Sequence, residues 1–196
     1  AQGYLSVDRS DGDFFPTLRV AQLGDWVAAA LLGSEAILPA LEKLRDETGE
    51  TVTLTMASGL EMRCLRAFIG VHPISLQVEE GISFPMMGTA IGTAYLAALA
   101  GDERARTFQM WRKQGASESE AEHLANLVAE SQASGIASAY DAVLPDTGAI
   151  AMAVRSPLKT GDPIMVVAVA GLSSRIHARE AECTAIMRAT MAEWSV

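Results

Sequence analysis

The chain has no apolar run near the roughly 20 residues that a membrane span requires, and its first residues lack the basic-then-apolar layout of a signal peptide. Cysteine is scarce. Cys64 and Cys183 lie far apart, with no cysteine or histidine at metal-ligand spacing, so neither a zinc site nor a disulfide framework is supported and reduced core thiols are expected. The histidines His72, His123 and His177 are scattered, and no serine sits in a nucleophile-elbow pattern to pair with one of them. Positive charge is also short. The chain has 15 Lys and Arg against 24 Asp and Glu, a net charge of -9, which opposes binding to a phosphate backbone unless a local basic patch overrides it. No metal, no cofactor and no membrane partner is expected, a cytoplasmic location is the default, and the segment is not itself a DNA reader.

What is present is a core. With 49% hydrophobic and 20% charged residues over 196 positions, the composition fits one soluble globular domain with a short extra element. The start, Gly3 to Asp8 and Asp13 to Pro16 around the turn at Asp11-Gly12, reads as a hairpin. From Thr17 to Leu32 the residues Val20, Leu23, Val27 and Leu31 fall at helical spacing. A second helix carries Ile37, Leu38, Leu41 and Leu44 on one face until Gly49 stops it. Strands are predicted over Thr51–Ala57, Glu61–Ile69, Ile74–Val78, Ile136–Tyr140, Ala149–Arg155 and Ile164–Ala170. Helices are predicted over Thr89–Ala100, Asp102–Lys113, Ser117–Ala133 with its Ser117/Glu120 capping box, and His177–Trp194. Strands with helices before, within and after them predict an α+β fold around one six-stranded, mainly antiparallel sheet.

The segment from Gly81 to Ala97 draws notice because small residues gather where a strand hands over to a helix. Gly81, Pro85 and Gly88 interrupt the chain ahead of Thr89, which is a good N-cap for the apolar helix that follows. Backbone N–H groups at such a helix start lack intrahelical acceptors, and the small residues Ala90 and Gly92 let a carboxylate or other anion approach. An ordinary strand-to-helix turn would use the same residues.

Three segments, in order, resemble one family. The stretch Leu41-Glu42-Lys43-Leu44-Arg45-Asp46-Glu47-Thr48-Gly49-Glu50-Thr51-Val52 resembles the Leu-x-x-Leu-x-x-Glu-Thr-Gly-Glu-Thr-Val signature of the isocitrate lyase regulator (IclR) type of bacterial transcription factor, in its C-terminal effector-binding domain. Phe84-Pro85-Met86 through Leu96-Ala97 resembles that family's Leu-Pro-Leu-His-x-Thr-Ala-x-Gly-Lys-Ala-x-Leu-Ala segment. Ala168 through Ile176 resembles its closing Ser-x-Ser-Gly-Pro-x-x-Arg-Ile. The N-terminus is similar to the wing and linker-helix start of such regulators. The resemblance divides the chain into a wing remnant at 1–16, a linker helix at 17–33 and an effector-binding domain at 34–196, with the DNA-reading helix expected upstream.

The resemblance implies a GAF/profilin-like cup that binds a small metabolite, with a lining of Leu76, Phe84, Ala90, Ile91, Ala149, Ala168 and Ala170 and the strand from Ala139 to Asp141. Thr89 is the expected polar contact, with Tyr140 and Asp141 as lesser ones. The chain departs from the family pattern at Met87, Thr93, Ala168 and Ala170, where relatives often carry His, Lys and two serines. Fewer hydroxyls in the cup disfavour a small, strongly hydrated acid, so an aromatic or otherwise largely apolar acid is expected. Further implied partners are operator DNA through the upstream domain and a second copy of the chain, as a homodimer or dimer of dimers. Two other readings compete. An enzyme would need an activated nucleophile, which Cys64 and Cys183 do not resemble, or an acid/base pair, for which Glu79-Glu80 reads instead as a solvated turn. A stand-alone sensor or interaction module would use the same fold without DNA.

Overall fold

The computed structural model describes residues 5–7, 13–17, 37–155 and 163–196. The helix expected over 17–32, Thr17 excepted, and the turn at 159–162 lie outside them. Strands β1 (Leu5–Val7) and β2 (Phe14–Pro16) pair antiparallel, and the turn expected at Asp11-Gly12 between them lies outside the described residues. Helix α1 (Ile37–Thr48) buries Ile37, Leu41 and Leu44 completely on one stripe. It stops at Gly49, whose φ of 74° is a left-handed cap that a side chain adopts only under strain.

The main sheet follows from β3 (Thr51–Ser58), β4 (Glu61–Phe68), β5 (Ser83–Pro85), β6 (Ala137–Tyr140), β7 (Thr147–Arg155) and β8 (Ile164–Leu172). Their spatial order is β5-β4-β3-β8-β7-β6, with every neighbouring pair antiparallel. Helices α2 (Ala90–Ala98), α3 (Gly101–Lys113) and α4 (Glu118–Ser134) fill the crossover between β5 and β6. The capping box of α4 forms as expected, with the Ser117 and Glu120 side chains each accepting from the other's backbone N–H.

Two expectations need correcting. The third strand of the sheet is Ser83–Pro85, not Ile74–Val78. Residues 74–78 run irregularly, and the Leu76 carbonyl accepts from the Thr51 hydroxyl at 2.7 Å instead of joining a ladder. The single final helix is two helices, α5 (Ser173–Ala178) and α6 (Glu180–Thr190), broken at Arg179 and followed by a 3-10 turn at Ala192–Trp194.

The sheet has helices on both faces. On one, α1, α5 and α6 cover the row Phe68, Val52, Val169, Ile150, with the last three fully buried. On the other, α2 crosses β6, β7 and β8, and α4 packs on its back. The row beneath on that face is Ala67, Thr53, Ala168, Ala151, Ala137. Side chains alternate between faces along a strand, so these same strands present bulky aliphatics to one side and small residues to the other.

Candidate functional site

The small-residue face is only partly covered. Helix α2 spans it from Ala90, and the chain before α2 makes the rim. The Thr89 hydroxyl donates to the Pro85 carbonyl at 2.8 Å and accepts from the Gly92 N–H at 3.2 Å, which ties the rim turn to the first turn of the helix. Gly92 is required there, because a Cβ would overlap the Met86 carbonyl. The N–H groups of Ala90 and Ile91, the first two of the helix, have no intrahelical acceptor.

Between this rim, the sheet and the β6–β7 loop lies a cavity of about 300 Å³. Its floor is Thr53, Ala168, Ala170 and Ala149 from the sheet. Its walls are Phe84, Ala90, Ile91, Leu76 and Val78, and Ala142, Val143 and Leu144 join Ile82 at the mouth. Val143, Leu144 and Ile82 are about half exposed. Polar side chains are few: Thr53, Gln77, Ser83, Thr89 and Thr147. No lining residue is charged.

Of the residues expected from the sequence, Leu76, Phe84, Thr89, Ala90, Ile91, Ala149, Ala168 and Ala170 all line this one cavity, as does Ala139. Tyr140 and Asp141 do not. Tyr140 follows Ala139 on its strand and so faces the opposite side of the sheet. There it packs edge-on against His177 at 5.3 Å between ring centroids and donates to Glu180 Oε2 at 2.9 Å. Its burial, and then that bond to Glu180, hold the phenol proton on well above the usual tyrosine range. Asp141 turns away at a φ of 55° and accepts from the Ser173 hydroxyl at 3.0 Å. The sequence reading missed Thr53 and the 142–148 loop. Alternation in Thr51-Val52-Thr53-Leu54-Thr55 sets Thr53 on one face with Thr51 and Thr55 without showing what lies beside it, and no periodicity marks the second.

The first and last motif segments meet behind the cavity. Glu50, 1% exposed, accepts two bonds from the Arg175 guanidinium, Nε to Oε1 and Nη2 to Oε2, and Nη2 also donates to the Ile74 carbonyl at 3.0 Å. Arg179 Nη1 donates to the Thr48 carbonyl at 2.8 Å. A Cβ at Gly171 would overlap the Glu50 carboxylate, which explains a glycine at the end of a strand of valines and alanines. Nothing here supplies an activated nucleophile: burial pushes the Cys64 thiol up to about 11, with Glu80 adding to it, and burial also raises Cys183. Among the described residues no group of His, Cys, Asp and Glu could hold a metal ion, and no helix is long and apolar enough to cross a membrane.

Residues 34–196 match the family model described as bacterial transcriptional regulator IclR C-terminal. Among curated proteins none matches. Solved structures with the same fold include an IclR family transcriptional regulator from Brucella abortus, at a TM-score of 0.80 and 19% identity over 97% of this chain and 72% of that one. A second is the IclR of Thermotoga maritima, at 0.75 and 16% identity over 98% and 78%. A third is the effector domain of a regulator from Acinetobacter sp. ADP1, at 0.68 and 20% identity over 84% and 96%. The family is one of transcriptional regulators and not of enzymes, and this chain, with the α+β fold and the matched 34–196 segment, belongs to it as a carrier of the IclR C-terminal domain.

Proposed function

We propose that the cavity is the effector site of a transcriptional regulator and that it takes a small organic molecule with a largely apolar body, an aromatic acid being the simplest case. The observation that carries this reading is the lining: about 300 Å³ enclosed by alanines, aliphatics and Phe84, with no charged side chain. That size lies at the lower end of the roughly 300–1,000 Å³ typical of small-molecule sites. A small polar acid would surrender its hydration to a wall that returns little. The acid group falls instead at the rim, on the unpaired N–H groups of Ala90 and Ile91, since the Thr89 hydroxyl is already committed to Pro85 and Gly92.

Residues 1–16 are read as part of a wing and 17–33 as a linker to the effector domain, with an upstream winged helix-turn-helix reading operator DNA. The antiparallel β1–β2 pair supports the wing, and the longer Brucella abortus regulator, of which this chain spans 72%, supports a further domain. A ligand that prefers one arrangement of paired subunits then shifts DNA affinity by its differential binding. Thermal unfolding with benzoate and with glyoxylate tests the site: benzoate raises the midpoint further with each increase in its concentration L, as RT ln(1 + L/Kd) requires, and glyoxylate does not. Stabilisation by glyoxylate alone overturns the reading. With the full regulator and an operator fragment, fluorescence anisotropy in the presence of benzoate tests the linkage, which an unchanged DNA affinity refutes.

A further inference from the structure

The floor of the cavity holds a hydroxyl with no partner among the described residues. Thr53 is 5% exposed and lines the cavity, flanked across the sheet by Ala168 and Ala67. Its neighbours on the same face are satisfied: the Thr51 hydroxyl donates to the Leu76 carbonyl at 2.7 Å and the Thr55 hydroxyl to the Val166 carbonyl at 3.3 Å. The other two threonines of the lining are satisfied as well, Thr89 on Pro85 and Thr147 on the Leu144 carbonyl at 2.6 Å. Thr53 makes no side-chain hydrogen bond with any described residue. The hydroxyl faces the cavity and stays open to solvent in the free protein, so the cost of leaving it unpaired falls on a ligand that expels that solvent without replacing the bond.

Resting on the reading of this cavity as an effector site, we infer that Thr53 is a specificity-determining residue that binds an uncharged hydroxyl or carbonyl group at the buried end of the effector. The group is uncharged because no cationic side chain lines the cavity, and one hydroxyl cannot replace the hydration shell of a carboxylate. A ligand apolar throughout leaves the Thr53 hydroxyl unpaired and is selected against. The effector class is therefore a molecule with an acid at the rim, an apolar body, and a neutral oxygen directed at the floor. Thr53 acts as both donor and acceptor, so it reads a hydroxyl and a carbonyl equally.

The test uses the 196-residue chain and two probes of nearly equal shape, 4-(hydroxymethyl)benzoate and 4-ethylbenzoate, titrated by calorimetry. Wild type prefers the hydroxymethyl probe. Thr53→Val, close in shape to threonine, lowers affinity for it by about threefold to tenfold, the worth of one neutral hydrogen bond, and leaves 4-ethylbenzoate unchanged or tighter. Thr53→Ser restores the preference, and unchanged melting midpoints of the free variants exclude a folding defect. If both probes bind and Thr53→Val leaves their ratio unchanged, the role of Thr53 is overturned while the cavity reading stands. If neither probe binds wild type, the cavity reading fails and this inference with it.

Discussion

The two faces of the six-stranded sheet are built from alternate residues of the same strands, yet one is filled and the other, packed in part by α2, keeps a hollow beside that helix. In β7 the even positions Ile150, Met152 and Val154 pack under α1, α5 and α6, while the odd positions Ala149 and Ala151 face the cavity and α2. In β8 Met165, Val167 and Val169 oppose Val166, Ala168 and Ala170 in the same way. Backbone geometry is common to both faces, so side-chain volume sets how much space each leaves between the strands and the elements that cover them. The filled face gains apolar burial at about 25 cal/mol per Å²; the hollow one forgoes part of that gain and keeps room for a ligand, whose binding then stabilises the fold.

The comparison breaks most visibly if the filled face is emptied. Ile150→Ala removes a fully buried side chain from the middle of that face and is expected to cost about 3–4 kcal/mol, since a close-packed core collapses poorly around a void. Urea denaturation measures it. A loss under about 1 kcal/mol means that the filled face is as loosely packed as the cup.

Glu50→Gln comes next. Glu50 fastens the start of β3 to Arg175 of α5, and its loss leaves the guanidinium short of its main partner in a part-buried place. The expected cost is about 3 kcal/mol, in the range for breaking a buried pair from one side. Both faces depend on this strand end, so benzoate binding weakens along with stability. A variant that loses stability but keeps full affinity shows that the cup does not depend on the Glu50–Arg175 pair.

Much of this contrast could be read from the chain. Leu41, Leu44 and the Thr48-Gly49-Glu50 turn signalled α1 and its stop, and the Thr89 cap signalled α2. Alternation also excludes Tyr140 once Ala139 is assigned to the cup, because successive residues of β6 face opposite ways. Two things were not legible. Ser83–Pro85 is a three-residue edge strand containing proline, below the length at which a period shows, whereas Ile74, Leu76 and Val78 alternate like a strand. Thr53 needed the β3–β8 register, which pairs it with Ala168 and so sets it in the floor; local sequence does not reveal cross-strand neighbours.

Filling the hollow face sharpens the comparison from the other side. Ala170→Leu adds a branched side chain to the cavity floor, with the packed core behind the sheet untouched. Stability changes by less than about 1.5 kcal/mol in either direction, because the added volume enters open space instead of a close-packed one. Benzoate stabilisation disappears in thermal unfolding. If the free protein instead loses several kcal/mol, the cup is not open space, and the contrast between the faces is smaller than the side-chain volumes imply.

The smallest effect lies at the mouth. Among the described residues the non-glycine positions with positive φ are Asp141, at 55°, and Asp146, at 60°, and they bracket the loop that brings Val143 and Leu144 to the cavity. Both ends are held to one residue of α5: the Ser173 hydroxyl donates to Asp141 and the Ser173 N–H to the Asp146 carbonyl at 2.8 Å. Aspartate tolerates this conformation better than a branched side chain does. Asp146→Val is therefore expected to cost about 1 kcal/mol, whereas Asp146→Gly relieves the strain but adds chain entropy in the unfolded state and stays within about 0.5 kcal/mol of wild type. Stopped-flow dissociation of benzoate from the two variants separates strain from shape. Faster release from Asp146→Val alone means that the rim's backbone conformation holds the mouth residues in place, so that the hollow face is maintained by local strain where the filled face is maintained by packing.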